Sequence, residues 1–165
     1  MDHQAVEKAG QHPIRVPMDV FELSLDDKAR LKLPVSFHTF LKTQDNETYI
    51  TTFDGRIARI YARSEWDKVA EFFQTVKEQP EAAERIWNRI QHFGGESGVD
   101  ASGRLVLPVR LRELLGMTPK SKVWIKYNRG AFDLTSDAVY QANLALSATS
   151  PREDITTLRK AGMPG

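Results

Sequence analysis

Three cations crowd one short stretch of the chain: Lys28, Arg30 and Lys32 alternate with Ala29, Leu31 and Leu33, directly after Asp26 and Asp27. Aspartates at such a point form a turn, because the carboxylate accepts from its own downstream backbone. The alternation that follows is that of a strand, with leucines on one face and cations on the other. Cations on a rigid turn suit phosphates as counter-charges, and an arginine fork matches the O6 and N7 edge of guanine in a major groove. Residue chemistry leaves a second reading open, a solvated strand face with a salt bridge from Asp26 to Arg30. Under either reading Asp26 forms the turn and contacts no ligand.

The stretch occurs twice. Residues 26–41 read DDKARLKLPVSFHTFL and residues 100–115 read DASGRLVLPVRLRELL, 74 positions on and without a gap. The pairs Asp26/Asp100, Arg30/Arg104, Leu31/Leu105, Leu33/Leu107, Pro34/Pro108, Val35/Val109 and Leu41/Leu115 are identical. The same offset carries on to Phe53/Tyr127, Asp54/Asn128, Ile60/Leu134 and Trp66/Tyr140. A period this long, used twice, predicts paired modules rather than a solenoid. The cations do not repeat faithfully: Ser102 stands for Lys28 and Val106 for Lys32, while Arg110 and Arg112 enter the segment after the strand. The candidate nucleic-acid contacts are therefore Lys28, Arg30, Lys32, Arg104, Arg110 and Arg112.

These residues need elements to hold them. Val20, Phe21, Leu23 and Leu25 predict a strand before the first turn. Pro34 suits the start of a helix that buries Val35, Phe37, Phe40 and Leu41. Residues 44–48 read as a loop, and residues 49–53 and 56–61 as strands joined by an Asp54-Gly55 turn. Ser64 is placed to cap a helix carrying Trp66, Val69, Ala70, Phe73 and Val76. Pro80 ends that helix and starts another, striped by Ile86, Trp87, Ile90 and Phe93. Gly94, Gly95 and Gly98 read as a linker to the second copy. That copy repeats the plan: a strand closed by Val99, a turn over residues 100–103, alternation over residues 104–107, a helix ended by Gly116, a hairpin turning at residues 128–130, and a helix capped by Ser136 or Asp137 with Val139, Tyr140, Leu144 and Leu146. Beyond Ser147 the pattern fades, with Ile155 and Leu158 adding at most a weak turn of helix, and a mobile tail is expected.

Composition narrows the function classes. With 165 residues, 41% hydrophobic and 27% charged, the chain is an ordinary soluble globular protein with a modest core. It has no cysteine, which excludes disulfides and thiolate metal sites and makes the cytoplasm the expected compartment. The first residues lack the apolar segment of a secretory signal. The 23 basic and 22 acidic side chains leave a formal charge of +1, so a nucleic-acid binder must gather its cations on one face. His3, His12, His38 and His92 show no zinc spacing, and no phosphate loop, nucleophile elbow or dinucleotide fingerprint occurs. Trp66, Trp87 and Trp124 sit at core periodicities. The expectation is no enzyme, no cofactor and no metal.

The two motifs resemble those of the MraZ family, bacterial regulators of the division and cell-wall gene cluster built from two SpoVT-AbrB-type repeats. The first copy shows the family's D-x-K-G-R-L-x-x-P as Asp26, Lys28, Ala29, Arg30, Leu31 and Pro34. The second shows D-x-x-G-R-L-x-I-P followed by L-R-x-x-x-G-L as Asp100, Gly103, Arg104, Leu105, Leu107, Pro108, Leu111, Arg112, Gly116 and Met117. The Glu65-Trp66 pair also matches, and the resemblance runs over about residues 20–143. Departures are Ala29 for glycine, Asp19 for glycine, a longer arm before Pro17, and fewer charges at Ser36, His38 and Thr39.

The resemblance implies an α+β, β-rich fold, a double-repeat swapped-hairpin AbrB-like barrel with flanking helices. Its parts would be a flexible arm (1–17), repeat 1 (18–67), inter-repeat helices (68–93), repeat 2 (94–141) and a C-terminal helix end with a mobile tail (142–165). It also implies a sequence-specific transcription regulator of cytoplasmic, nucleoid-associated location. Such a protein binds double-stranded DNA at G-containing promoter direct repeats as a ring-shaped homo-oligomer. An AbrB-like protein-interaction module of the antitoxin type is the alternative; its mark would be an apolar tail that wraps a partner, and the residues after Ser147 include few large apolar ones.

Overall fold

The computed structural model describes residues 15–165. The flexible arm expected over residues 1–17, together with His3 and His12, lies almost wholly outside the described residues. Within them Val16 packs on the core and Pro17 is buried.

Two halves lay down the same elements in the same order. The first contains β1 (Phe21–Ser24), β2 (Arg30–Lys32), α1 (Val35–Lys42), β3 (Glu47–Thr51), β4 (Ala58–Ala62), α2 (Arg63–Thr75) and α3 (Pro80–Phe93). The second contains β5 (Gly95–Gly98), β6 (Arg104–Val106), α4 (Val109–Leu114), β7 (Lys122–Asn128), β8 (Ala131–Ser136), α5 (Asp137–Ser147) and α6 (Pro151–Lys160). The result is a mixed α+β protein whose strands all pair antiparallel.

The halves are interlaced. The larger sheet runs β1-β7-β8-β4-β3-β5, so each half's opening strand pairs with the hairpin of the other. A two-stranded ribbon, β2 with β6, makes the second sheet. At the centre of each sheet equivalent residues face one another: Arg59 pairs with Asp133 between β4 and β8, and Leu31 with Leu105 between β2 and β6. The duplication is therefore a pseudo-twofold arrangement, and these two pairs lie on its axis. Leu31 and Leu105 are fully buried, in a core shared with Leu33, Phe37, Ile50 and Ile60 from one half and Leu107, Leu111, Ile125 and Leu134 from the other.

The uninterrupted offset of 74 needs one correction. Strands β3 and β7 correspond at 75 positions, because Tyr49 stacks on Trp66 (3.9 Å) as Trp124 stacks on Tyr140 (4.1 Å). The extra residue precedes β7 and is given back in the hairpin. The second hairpin turns tightly through Arg129 and Gly130, both at positive φ. The first takes six residues from β3 to β4, with Asp54 Oδ1 accepting from the N–H groups of Arg56 and Ile57.

Three further expectations change. The Gly94–Gly98 linker is in fact a strand over Gly95–Gly98, β5, paired with β3 through the backbone and through the Thr48 hydroxyl, which donates to the Ser97 carbonyl at 2.6 Å. Glycine is required at its entry, since a Cβ on Gly94 would lie 2.7 Å from the Tyr49 hydroxyl. Ser64 does not cap α2; Ala62 holds that position without a side-chain bond, and the Ser64 hydroxyl donates to Gln44 instead. Ser136 does cap α5, accepting from Val139 N–H. The weak turn expected after Ser147 is a ten-residue helix, α6.

Candidate nucleic-acid interface

Both turns are built around an aspartate. Asp26 Oδ1 accepts from the N–H groups of Lys28 (2.9 Å) and Arg30 (2.7 Å), and its Oδ2 accepts from Arg30 Nε (2.7 Å). Asp100 Oδ1 accepts from the N–H groups of Ser102 and Arg104, both at 2.9 Å. The Arg30 backbone N–H, followed by its guanidinium and the Lys28 N–H, holds the Asp26 carboxyl below its ordinary value despite some desolvation. Asp100 is lowered in the same way, by the Arg104 N–H first and then by the Ser102 N–H and the charges of Arg104 and Arg30. The antiparallel β2–β6 pairing brings the two turns in from opposite ends of the ribbon, the Gly103 carbonyl accepting from Leu33 N–H, and the Arg30 charge reaches Asp100 across it.

The third position of each turn is left-handed, Ala29 at φ 57 and Gly103 at φ 82. An L-residue resists this region, and Ala29 holds it with a nearly fully buried methyl group. Ala29 therefore keeps the geometry of the usual glycine.

The ribbon gathers the cations. Lys32 lies directly opposite Arg104, and Arg30 opposite Val106. Like charges facing each other across a strand pair are unfavourable unless an anion lies between or above them. Among the described residues Lys28, Lys32, Arg104, Arg110 and Arg112 form no ion pair, whereas Arg30 is bound to Asp26. The salt bridge foreseen as the alternative thus exists in the first turn. It occupies Arg30 Nε and leaves the two terminal nitrogens of a partly exposed guanidinium for other contacts.

The remaining two candidates stand apart from the ribbon. Arg110, exposed at the start of α4, reaches the His92 carbonyl in the last turn of α3 at 3.4 Å. A cation at a helix C-terminus complements the dipole. Arg112 is half-buried on α4, two residues beyond.

Two residues outside the candidate set bear on the site. His38 on α1 presses against the second turn, so that a Cβ on Gly103 would meet its Nδ1 at 3.0 Å. Its Nε2 is buried without a partner. The signal for it was its alignment with Arg112, one helix facing each turn. Lys120, left-handed at φ 64, donates its N–H to the Leu25 and Asp26 carbonyls and so sits beside the first turn. Its counterpart near the second turn is Asp45, also left-handed at φ 65. The first turn thus has a lysine for a neighbour and the second an aspartate.

Among the described residues no group of three or more His, Asp or Glu side chains could hold a metal ion, and no helix is long and apolar enough to cross a membrane.

Comparison with known proteins points one way. A protein of Acidobacterium capsulatum named transcriptional regulator MraZ is 29% identical over 155 residues, covering 93% of this chain and 98% of that one. One of the same name from Koribacter versatilis is 30% identical over 106 residues, 63% of this chain and 66% of its own. Another, from Aromatoleum aromaticum, is 28% identical over 120 residues, 73% of this chain and 80% of its own. No family model matches the chain.

Proposed function

The chain belongs to the MraZ family of transcriptional regulators, and from that membership we propose that it binds promoter DNA in a sequence-specific manner through the β2–β6 ribbon and its two turns, with no catalytic activity. The observation that carries this reading is the Lys32–Arg104 pair: two cations held opposite each other with no carboxylate between them. Such an arrangement is favourable when a polyanion supplies the counter-charge.

Roles divide by position. Lys28 and Lys32 are exposed and take phosphates; Arg104 and the free end of Arg30 reach base edges, where an arginine fork suits guanine. Arg112 contributes a phosphate contact from α4, and Arg110 secures α3 to α4 beside it. The first repeat, with Lys28, Arg30, Lys32 and the neighbouring Lys120, dominates the contact. The Asp26–Arg30 bond aims the guanidinium rather than consuming it.

The fold supports a shared barrel. Strand β2 lies next to β1 and β6 next to β5, and the Ser97 hydroxyl donates to the Val106 carbonyl, which supports reading the ribbon as the piece that would close the larger sheet into a barrel. Ring assembly then answers the near-zero net charge. A protomer with four or five free cations binds weakly, and several on one ring facing a row of G-containing direct repeats gain affinity through effective concentration. The division and cell-wall cluster is the expected target, with the nucleoid as the place of action.

Anisotropy or gel-shift titration against the DNA upstream of the protein's own gene tests the reading. The Lys28→Ala, Arg30→Ala double variant is expected to lose at least tenfold in affinity. Lys32→Ala alone should weaken all sequences evenly and lower the salt slope by about 1. Unchanged affinity in the double variant would reject the interface.

A further inference from the structure

The two halves differ most where helices meet the sheet. In the first half α3 lies back on α2: Trp87 stacks on Trp66 (6.3 Å) and on Phe73 (5.3 Å), the Thr51 hydroxyl donates to the Ile90 carbonyl (2.8 Å), and Arg89 bonds the Phe53 carbonyl (3.1 Å). The residues of the second half that correspond to Trp66, Phe73, Thr51 and Phe53 are Tyr140, Ser147, Lys126 and Asn128. These four line a single open groove between α5 and the β7–β8 hairpin, floored by Asp133 and bordered by Leu144. The groove is thus the second half's version of the seat that α3 fills.

The second half also has the helix. Like α3, α6 begins with a proline after a short connection. Counting from each proline, Leu158 takes the place of Trp87 and Ile155 that of Glu84, on the side that α3 turns toward α2. Yet every residue of α6 is exposed, Ile155 at 40% and Leu158 at 51%, and Leu144 opposite the empty seat is 53% exposed.

We infer that α6 fills this groove on a second copy of the chain, an exchange of helices between neighbouring protomers. The connection argues against return to its own groove. In the first half the chain reverses through Gln79, left-handed at φ 53. Ala148, Thr149 and Ser150 include no positive φ, and none is glycine or asparagine, the types that accept it. Charge favours the same docking. The first turn of α6 carries Glu153 and Asp154, and Lys126 stands unpaired at the groove's rim. Ile155 and Leu158, three apart on one helix face, meet Tyr140, Leu144 and Ile57. The groove is more polar than its counterpart, which suits a helix whose stripe is only two residues wide.

This deepens the self-assembly part of the proposed function and rests on it. The absence of cysteine makes a clean test. Leu144→Cys and Leu158→Cys, both at exposed positions, are prepared separately, mixed under exchange conditions and oxidised, with light scattering on the same samples. A covalent dimer in the mixture, beyond what either variant forms alone, is the expected result, and chains ending at Ala148 should form smaller assemblies than the full chain. Three outcomes overturn the inference: assemblies of full size with no cross-link, a cross-link that forms only within one chain when a further variant carries both Leu144→Cys and Leu158→Cys, or a different protein co-purifying in the groove. The first of these leaves self-assembly standing. A full-length chain that scatters as a monomer would reject self-assembly itself.

Discussion

Trp66 and Tyr140 occupy the same place in the two halves and live in different surroundings. Trp66 is 6% exposed, with Tyr49 on one face and Trp87 of α3 on the other. Tyr140 has Trp124 on one face and an open groove on the other. The inner contact, a tyrosine and a tryptophan stacked between strand and helix, is kept in both halves with the two residue types exchanged. The outer contact is not kept. The turns diverge likewise: Asp26 and Asp100 hold the same backbone bonds, while Lys28 and Lys120 belong to the first turn where Ser102 and Asp45 belong to the second. Contacts on or near the pseudo-twofold axis are constrained by both halves at once, and those farther out are free to specialise.

Removing the two rings should show that asymmetry most strongly. Trp66→Ala takes a buried indole from between two aromatic neighbours, and a loss of about 4 kcal/mol in urea unfolding is expected. Tyr140→Ala gives up one stacked contact and the two-residue cover that a neighbour's α6 lays over it, and should cost about 1 kcal/mol. Equal losses would mean that α6 of a neighbouring copy covers Tyr140 as fully as α3 covers Trp66.

The axis itself gives the next largest effect. Arg59 Nε bonds Asp133 at 3.1 Å, where the carboxylate is almost fully buried and also accepts from Asn128. Equivalent positions meet here, so an exact duplicate would set like charges face to face. The Arg–Asp pair instead favours union of unlike halves. Arg59→Asp should destabilise by about 3 kcal/mol, and adding Asp133→Arg should restore most of it. A single variant as stable as the unaltered chain would show that the axis does not discriminate between halves.

Much of this was legible in the sequence because turn chemistry is local. An aspartate, a left-handed third position and alternating leucines announce themselves within eight residues, and the six cations were located from that stretch and its copy. Strand β5 was marked only at its close, by Val99, because glycine carries no alternation; what forms it over Gly95–Gly98 is an unpaired edge on β3 belonging to the other half. The shift from 74 to 75 was hidden because a single residue gained in one loop and lost in the next leaves the motifs in step. Lys120 approaches the first turn and His38 the second, each from the opposite half and across a long stretch of sequence, which no local pattern encodes. Helix α6 buries nothing in its own chain, so hydrophobic spacing marked it only faintly.

The third positions of the turns test whether the two backbones are interchangeable. Gly103→Ala forces a side chain to φ 82 and against His38, and a loss of about 2 kcal/mol is expected. Ala29→Gly relieves a comparable strain but gives up a buried methyl and gains chain entropy when unfolded. These terms offset, and the net change should stay within about 1 kcal/mol. Thermal unfolding of the pair checks both; a gain well above that for Ala29→Gly would show that the buried methyl contributes nothing.

The smallest difference should appear with pH. Both turn carboxyls titrate below their ordinary value, so each stabilises the fold fully above about pH 4 and loses its contribution as pH falls through its folded value. Neither turn should soften between neutral pH and that point, which keeps the cations displayed across the physiological range. Asp26 accepts three bonds, one from a guanidinium, and Asp100 accepts two from backbone alone. Ionised acceptors with more donors resist protonation further. The amide signals of Ser102 and Arg104 should therefore move first in an acid NMR titration, and those of Lys28 and Arg30 at lower pH. The reverse order would mean that the Arg30 guanidinium spends its time away from Asp26 in solution, already turned toward whatever anion the ribbon meets.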